Sequence, residues 1–193
     1  MPNNSASAIP ELETPRLRLR AHRADDFETS AAMWGDPAVT RFIGGKPSTR
    51  EEAWARLLRY AGLWGLLGYG YWAVVDKADG ALVGDIGFAD FRRDIAPSMD
   101  GLPEMGWVLS PRAHGKGFAT EAVAAALAWA DARFGHTACI IDPENLASIR
   151  VAQKSGFREL AKTTFRDSPT IMYRREQAHV HGAHVHGVDR TAG

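Results

Sequence analysis

The sequence predicts one mixed α/β domain, and three observations carry that prediction. Stretches with the two-residue period of half-exposed strands alternate with stretches of helical period. Glycines, prolines and capping residues stand between them. The chain has 193 residues, 45% of them hydrophobic and 24% charged, which suits a globular domain with tails.

"LRLRAH", Leu17 to His22, alternates apolar and basic residues and reads as the first strand. In "RADDFETSAAMW", Asp25 and Asp26 stand where a helix N-cap and first turn belong. In "STREEAWARLLRYAGLW", Ser48 or Thr49 is the cap and Glu51 or Glu52 its capping-box partner. Ala53, Leu57, Tyr60 and Leu63 or Trp64 follow at helical spacing. "GYWAVVD" and "ALVGDIGFADF", joined by "KADG", form a hairpin. "RRDIAPSMDG" is a loop and "LPEMGWVLS" the next strand. "GFATEAVAAALAWADARFG" is a long helix whose apolar face is Phe118, Ala122, Val123, Ala126, Leu127, Ala130 and Phe134, and Gly135 ends it. "TACIID" is a short buried strand, "PENLASIRVAQKSG" a helix stopped by Gly156, and "FRELAKTTFR" and "PTIMYRRE" two closing strands. Residues 1–11 read as a flexible leader, 12–176 as the domain and 177–193 as a His-rich disordered tail.

Formal net charge is zero, so no global field favours nucleic acid or an anionic membrane. The N-terminus lacks the basic and apolar regions of a secretory signal, and no apolar run reaches the ~18–20 residues that span a bilayer. A single cysteine, Cys139, allows no intramolecular disulfide and fits a reducing compartment; its apolar neighbours make it a small buried hydrophobe. A cytoplasmic protein is expected. The repeated His-x-His-Gly of the tail has the composition to bind metal adventitiously, but a cloning scar or species-specific tail is the simpler reading, and no metal site is expected.

The chemistry concentrates in "SPRAHGKGFATEA", Ser110 to Ala122. A strand ending at Leu109 passes through Arg112, His114, Gly115, Lys116 and Gly117 into the long helix. A helix N-terminus offers unpaired N–H groups and the positive end of the macrodipole. Glycines let backbone approach a ligand closely, and two cations add charge. Such a turn suits a phosphate or pyrophosphate. Neither G-x-x-x-x-G-K-[ST] nor G-x-G-x-x-G is present. The pattern R-x-x-G-x-G stands instead.

That pattern, between strand and helix, resembles the acetyl-CoA pyrophosphate loop of the GNAT N-acetyltransferase superfamily. "EMGWVLSPRAHGKGFATEA" and "ENLASIRVAQKSGF" resemble the segments of its RimJ/RimL-like branch, as do "LETPRLRLR" and "LVGDIGFADF". The likeness covers roughly Leu12 to Arg174. It implies a mixed, mostly antiparallel sheet flanked by helices and splayed between the fourth and fifth strands. It implies no metal and acetyl-CoA as co-substrate. The backbone N–H groups from His114 through Gly115, Lys116, Gly117 and Phe118 to Ala119 would hold the pyrophosphate. Val108 and Leu109 would pair with the pantetheine arm, and Arg112 would add charge.

Asn145 would bond the arm or cap its own helix, and both roles are compatible. Glu104, opening its strand toward the cleft, is the general-base candidate through a water; a surface carboxylate is the plainer reading. The Leu109 N–H is the oxyanion donor. Many superfamily members place a tyrosine seven residues after the asparagine, where this chain has Ala152; the branch suggests Ser148 as proton donor in its stead, beside the reading of a capping hydroxyl. Trp34, Phe42, Trp54, Trp64, Tyr69, Trp72 and Trp107 are aromatic candidates for the cleft or the core. Arg92 and Arg93 would meet an acidic acceptor or lie solvated.

The expected activity is acetyl transfer by direct attack of a primary amine, either a protein N-terminal α-amine or a small molecule. A homodimer is common in the branch. An aminoglycoside acceptor, a succinyl-CoA donor and a catalytically silent acyl-CoA-binding module stay open.

Overall fold

The computed structural model describes residues 9–177. The histidine-rich segment and most of the expected leader lie outside the described residues. Ile9 packs on the core and Pro10 O accepts a 2.7 Å bond from Trp72 Nε1, so residues 9–11 belong to the domain rather than to a loose leader.

Eight strands make one sheet in the order β1-β2-β3-β4-β5-β6-β8-β7. They are β1 Leu12–Glu13, β2 Leu17–Arg20, β3 Tyr71–Asp76, β4 Leu82–Ala89, β5 Glu104–Leu109, β6 His136–Ile141, β7 Arg158–Phe165 and β8 Ser168–Glu176. The helices are α1 Phe27–Trp34, α2 Pro37–Thr40, α3 Arg50–Leu67, α4 Phe118–Asp131 and α5 Leu146–Lys154. Every strand pair is antiparallel except β5 with β6. Those two share one partnered position, Glu104 with Ala138, and then part. They are the fourth and fifth strands counted from "LRLRAH", so the expected splay is present.

Period-two alternation assigns the faces. Met105 and Leu109 join the main core beneath α4, where Phe118, Ala122, Val123, Ala126, Leu127 and Ala130 are all buried. Burying each large side chain there contributes about 1.5–3 kcal/mol. Trp64, Trp72 and Trp129 meet edge to face in the same core, with ring centroids 4.8–5.5 Å apart. Glu104, Gly106 and Val108 turn to the opposite face, where Val108 packs on the cluster of Trp34, Val39 and Ala53. Trp34 and Trp72 are therefore core, while Trp54 is exposed.

Local chemistry sets the helix ends. Thr49 and Glu52 are the members of the α3 capping box, and Gly68 closes α3 in the left-handed region at φ 74°. Asp26 does not cap α1; its carboxylate accepts from the Arg20 guanidinium and the Arg23 N–H. Among the described residues no helix is long and apolar enough to cross a membrane.

Two buried polar contacts lock the layers. Asp85 on β4 is fully buried, its Oδ2 accepting from Trp34 Nε1 at 2.8 Å and its Oδ1 from His22 Nε2 at 2.9 Å. Glu121, in the first turn of α4, accepts from Thr14 Oγ1 (2.6 Å), Arg16 N–H (3.0 Å) and Arg16 Nε (2.7 Å), which ties α4 to the β1–β2 turn. Burial pushes the Glu121 carboxyl up, but the bonds from Thr14 and Arg16 outweigh it and hold the carboxyl below its ordinary range.

Asp85→Ala should leave the Trp34 and His22 donors stranded and cost about 3 kcal/mol, measured by urea unfolding. The depressed Glu121 value means its contribution is complete above the ordinary glutamate pKa of about 4.3 and fades as pH falls through the folded value. Glu121→Gln should therefore lower stability at pH 7 and flatten the acid limb below about pH 4.3, read from melting curves against pH.

Candidate functional site

The loop between β5 and α4 runs through a short 3-10 turn, Pro111–Ala113, and two left-handed glycines, Gly115 at φ 72° and Gly117 at φ 77°. Gly117 is the N-cap of α4. Among the described residues, the N–H groups of Gly115, Lys116, Gly117, Phe118, Ala119 and Thr120 have no acceptor; Glu121 N–H is the first to return to the helix, on Gly117 O. That run of aligned donors on a helix N-terminus is an anion cradle.

His114 departs from expectation. Its N–H is taken by Pro111 O at 3.1 Å, and its Nε2 bonds Leu109 O at 2.9 Å. It braces the loop against the strand end, and the free donors run one residue further along, through Thr120. Arg112 is exposed and paired with Asp79. Lys116 is exposed beside Phe118. Sequence reasoning missed Arg16, which donates to Lys116 O at 2.8 Å and lies over the Phe118 ring at 4.8 Å. Roughly a hundred positions separate it from the loop, and no local pattern marks it.

At the parted edge, Ser110 N–H donates to Val83 O. The alternation of an antiparallel ladder then turns the peptide groups of Val108 toward Asp85 on β4 and those of Leu109 and Trp107 toward the gap. Leu109, rather than Val108, offers its N–H to whatever enters.

On the α1–α3 face, Glu104 marks the apex of the wedge. It is buried, and both of its oxygens accept from Arg93, at 2.6 Å from Nε and 2.8 Å from Nη2. Arg93 is held between the rings of Phe91 (4.6 Å) and Phe165 (4.8 Å), so it is not free for an acidic acceptor. Arg92 is exposed and paired with Asp90. Tyr71 lies across the sheet from β3, stacked under Tyr60 at 4.3 Å and 8°. Its hydroxyl ends against Gly106 on β5: a Cβ there would stand 2.2 Å from that oxygen. Tyr71 and Gly106 were not singled out in the sequence; only the glycine inside a strand hints that something approaches the backbone closely. Cys139 is buried on β6, and burial, then the Glu104 charge, push its thiol well above its ordinary value, so it remains a protonated core residue.

Across the gap, Asn145 caps α5, its Oδ1 accepting from Ser148 N–H at 3.1 Å. The Ser148 side chain is half-buried in the first turn of α5, beyond the C-terminal end of β6 and thus at the wide end of the wedge. Ala152, where a tyrosine was missed, is fully buried. The loop donors and Leu109 thus lie on the β5 side of the parting, Asn145 and Ser148 in the segment that follows β6, and Glu104 at the last partnered position.

The acetyltransferase (GNAT) domain family matches residues 16–158. An uncharacterized protein of Bacillus subtilis, YkkB, is 32% identical over 176 residues, covering 88% of this chain and 98% of YkkB. The crystal structure of an acetyltransferase from Agrobacterium tumefaciens superimposes with a TM-score of 0.75 at 26% identity, covering 88% of this chain and 96% of that one. The RimL ribosomal L7/L12 α-N-protein acetyltransferase, solved with coenzyme A, shares the fold at a TM-score of 0.70 and 14% identity, covering 86% and 98%. The splayed sheet, the donor loop and these matches together make the chain a member of the GNAT family of N-acetyltransferases.

Proposed function

We propose that the chain transfers acetyl from acetyl-CoA to a primary amine, the α-amine of a peptide or a small-molecule amine, by direct attack. The observation that carries this reading is the unbroken run of free N–H groups from Gly115 to Thr120, placed where β5 leaves its partner. The RimL ribosomal L7/L12 α-N-protein acetyltransferase, solved in complex with coenzyme A, supports the same direction through a shared fold.

Each residue then has a task. The loop N–H groups and the α4 macrodipole hold the pyrophosphate. Arg112 contributes little charge because Asp79 already neutralises it. Leu109 N–H lies on the open edge and stabilises the oxyanion of the attacked thioester. Asn145 keeps the α5 wall in place. Glu104 faces the side from which the amine arrives and accepts its proton through a water. Its bidentate Arg93 pair fixes its position. The departing thiolate needs a proton from a hydroxyl at the gap, and Ser148, which the family resemblance suggests for it, is one of the hydroxyls on that side. Direct attack, rather than an acyl-enzyme on sulfur, fits the chain's single cysteine: Cys139 is buried and its thiol is pushed well above its ordinary value.

A thiol-release screen with acetyl-CoA against peptides with free N-termini, polyamines and aminoglycosides tests the reading. At least one amine should release CoA in a stoichiometric acetylation, and silence across the panel would leave only an acyl-CoA-binding module. Glu104→Gln should slow transfer about 10²-fold and move the pH profile while leaving acetyl-CoA affinity unchanged; an unaltered rate removes Glu104 from the mechanism. Gly117→Val forces a branched side chain into the left-handed region and turns the N–H array, so acetyl-CoA affinity should fall about tenfold, against about threefold or less for Arg112→Ala, by calorimetric titration.

A further inference from the structure

We infer that the Tyr71 hydroxyl is the proton donor to the departing CoA sulfur, taking the place of the tyrosine that this chain lacks at Ala152. The inference rests on the acetyltransferase reading and names the hydroxyl that reading requires.

The position comes from the sheet. Tyr71, Gly87 and Gly106 lie in one row across β3, β4 and β5, and their side-chain direction is the α1–α3 face. A Cβ at Gly87 would stand 2.4 Å from Tyr71 Cα, and one at Gly106 would stand 2.2 Å from Tyr71 Oη. Gly87 thus lets the Tyr71 backbone come close, and Gly106 lets the phenol end over the edge strand of the gap. Gly106 is two residues from Glu104, where β5 and β6 last pair, so the hydroxyl sits over the narrow end of the wedge. Ser148 stands at the wide end, one strand and a turn away. Tyr60 stacks over the ring and Phe91 flanks it at 6.5 Å, which leaves the phenol little freedom to turn away. Among the described residues the Tyr71 hydroxyl makes no hydrogen bond, and in a residue only 5% exposed its oxygen is not among the buried polar atoms left without a partner, so the tip of the side chain is the part open to solvent. A hydroxyl fixed by a buried ring and open at its tip is suited to a ligand atom.

Charges around it keep it protonated. Burial, then Tyr60 and Glu104, raise the phenol well above its ordinary value, with Arg93 and Arg59 opposing in part. A donor that strongly held is a relay rather than a simple acid. Glu104, through its water, takes the first proton of the ammonium; as the C–N bond then forms and the C–S bond breaks, the phenol gives its proton to sulfur and receives the second proton from the acylated nitrogen, so no phenolate accumulates.

The test compares CoA with desulfo-CoA by calorimetric titration at pH 9, where thiolate begins to form while the Tyr71 phenol, raised well above its ordinary value, keeps its proton. The wild-type chain should prefer CoA about tenfold, the size of a charge-assisted hydrogen bond. Tyr71→Phe should bind the two alike, with desulfo-CoA affinity unchanged, which also shows that the variant is folded. With the amine found by the thiol-release screen, Tyr71→Phe should lower kcat about 10²-fold and leave the acetyl-CoA KM within about twofold. A CoA preference that survives in Tyr71→Phe, or one lost in Ser148→Ala instead, overturns the assignment. If wild type binds neither ligand, the acetyl-CoA reading fails first and the assignment falls with it.

Discussion

Strands β5 and β6 are held together by one partnered position and by the parallel approach of Ala138 N–H to Pro103 O, and the site depends on their parting beyond it. Each strand is satisfied elsewhere: β5 pairs along its whole length with β4, and β6 along its whole length with β8. Two well-paired half-sheets with their own twist can separate without losing those ladders. What the separation leaves is an inner edge of peptide groups, those of Trp107 and Leu109, that need partners. An extended arm that can act as an added strand is the natural occupant.

The apex is pinned as carefully as the wedge is opened. Glu104 and Arg93 join β5 to the loop after β4, and Phe165 on β7 covers Arg93 from the other half-sheet. The Arg93–Phe165 contact thus carries this ion pair across to the other half at the point where the backbone pairing ends. A buried, bidentate pair of this kind costs desolvation and returns it through geometry. Its removal would loosen the angle between the walls as well as alter charge at the floor of the cleft.

Anion recognition rests on backbone more than on side-chain charge. The chain carries no net charge, and two of the cations near the loop are already paired, Arg16 with Glu121 and Arg112 with Asp79. Lys116 and the helix N-terminus remain. Arg16 instead holds the loop's shape, by its bond to Lys116 O and its place beside Gly117.

Much of this was legible in the chain. The α4 face, the α3 capping box and the order of strands follow from periodicity and caps, because those signals are local. Gly115 and Gly117 announced the loop, since both need positive φ. The short α2 helix and the β1 strand were not read, being too brief to show a period. The turn between β7 and β8 uses Arg166 and Asp167 at positive φ with no glycine to mark it. The partners of Glu104, His114 and Arg112 were hidden because they are set by contacts across the fold rather than by neighbours in sequence. Tyr71 is the clearest case: only the three-strand row with Gly87 and Gly106 brings its hydroxyl to the gap.

The central claim is that the wedge and its donor loop are built for acetyl-CoA. A thermal melt with acetyl-CoA, ATP and NAD in parallel tests it most directly. A ligand that binds only the folded chain at about a hundred times its Kd adds about 2.7 kcal/mol, a shift of several degrees. The account predicts that shift for acetyl-CoA and none for ATP or NAD. Stabilisation by ATP or NAD with none by acetyl-CoA would contradict it.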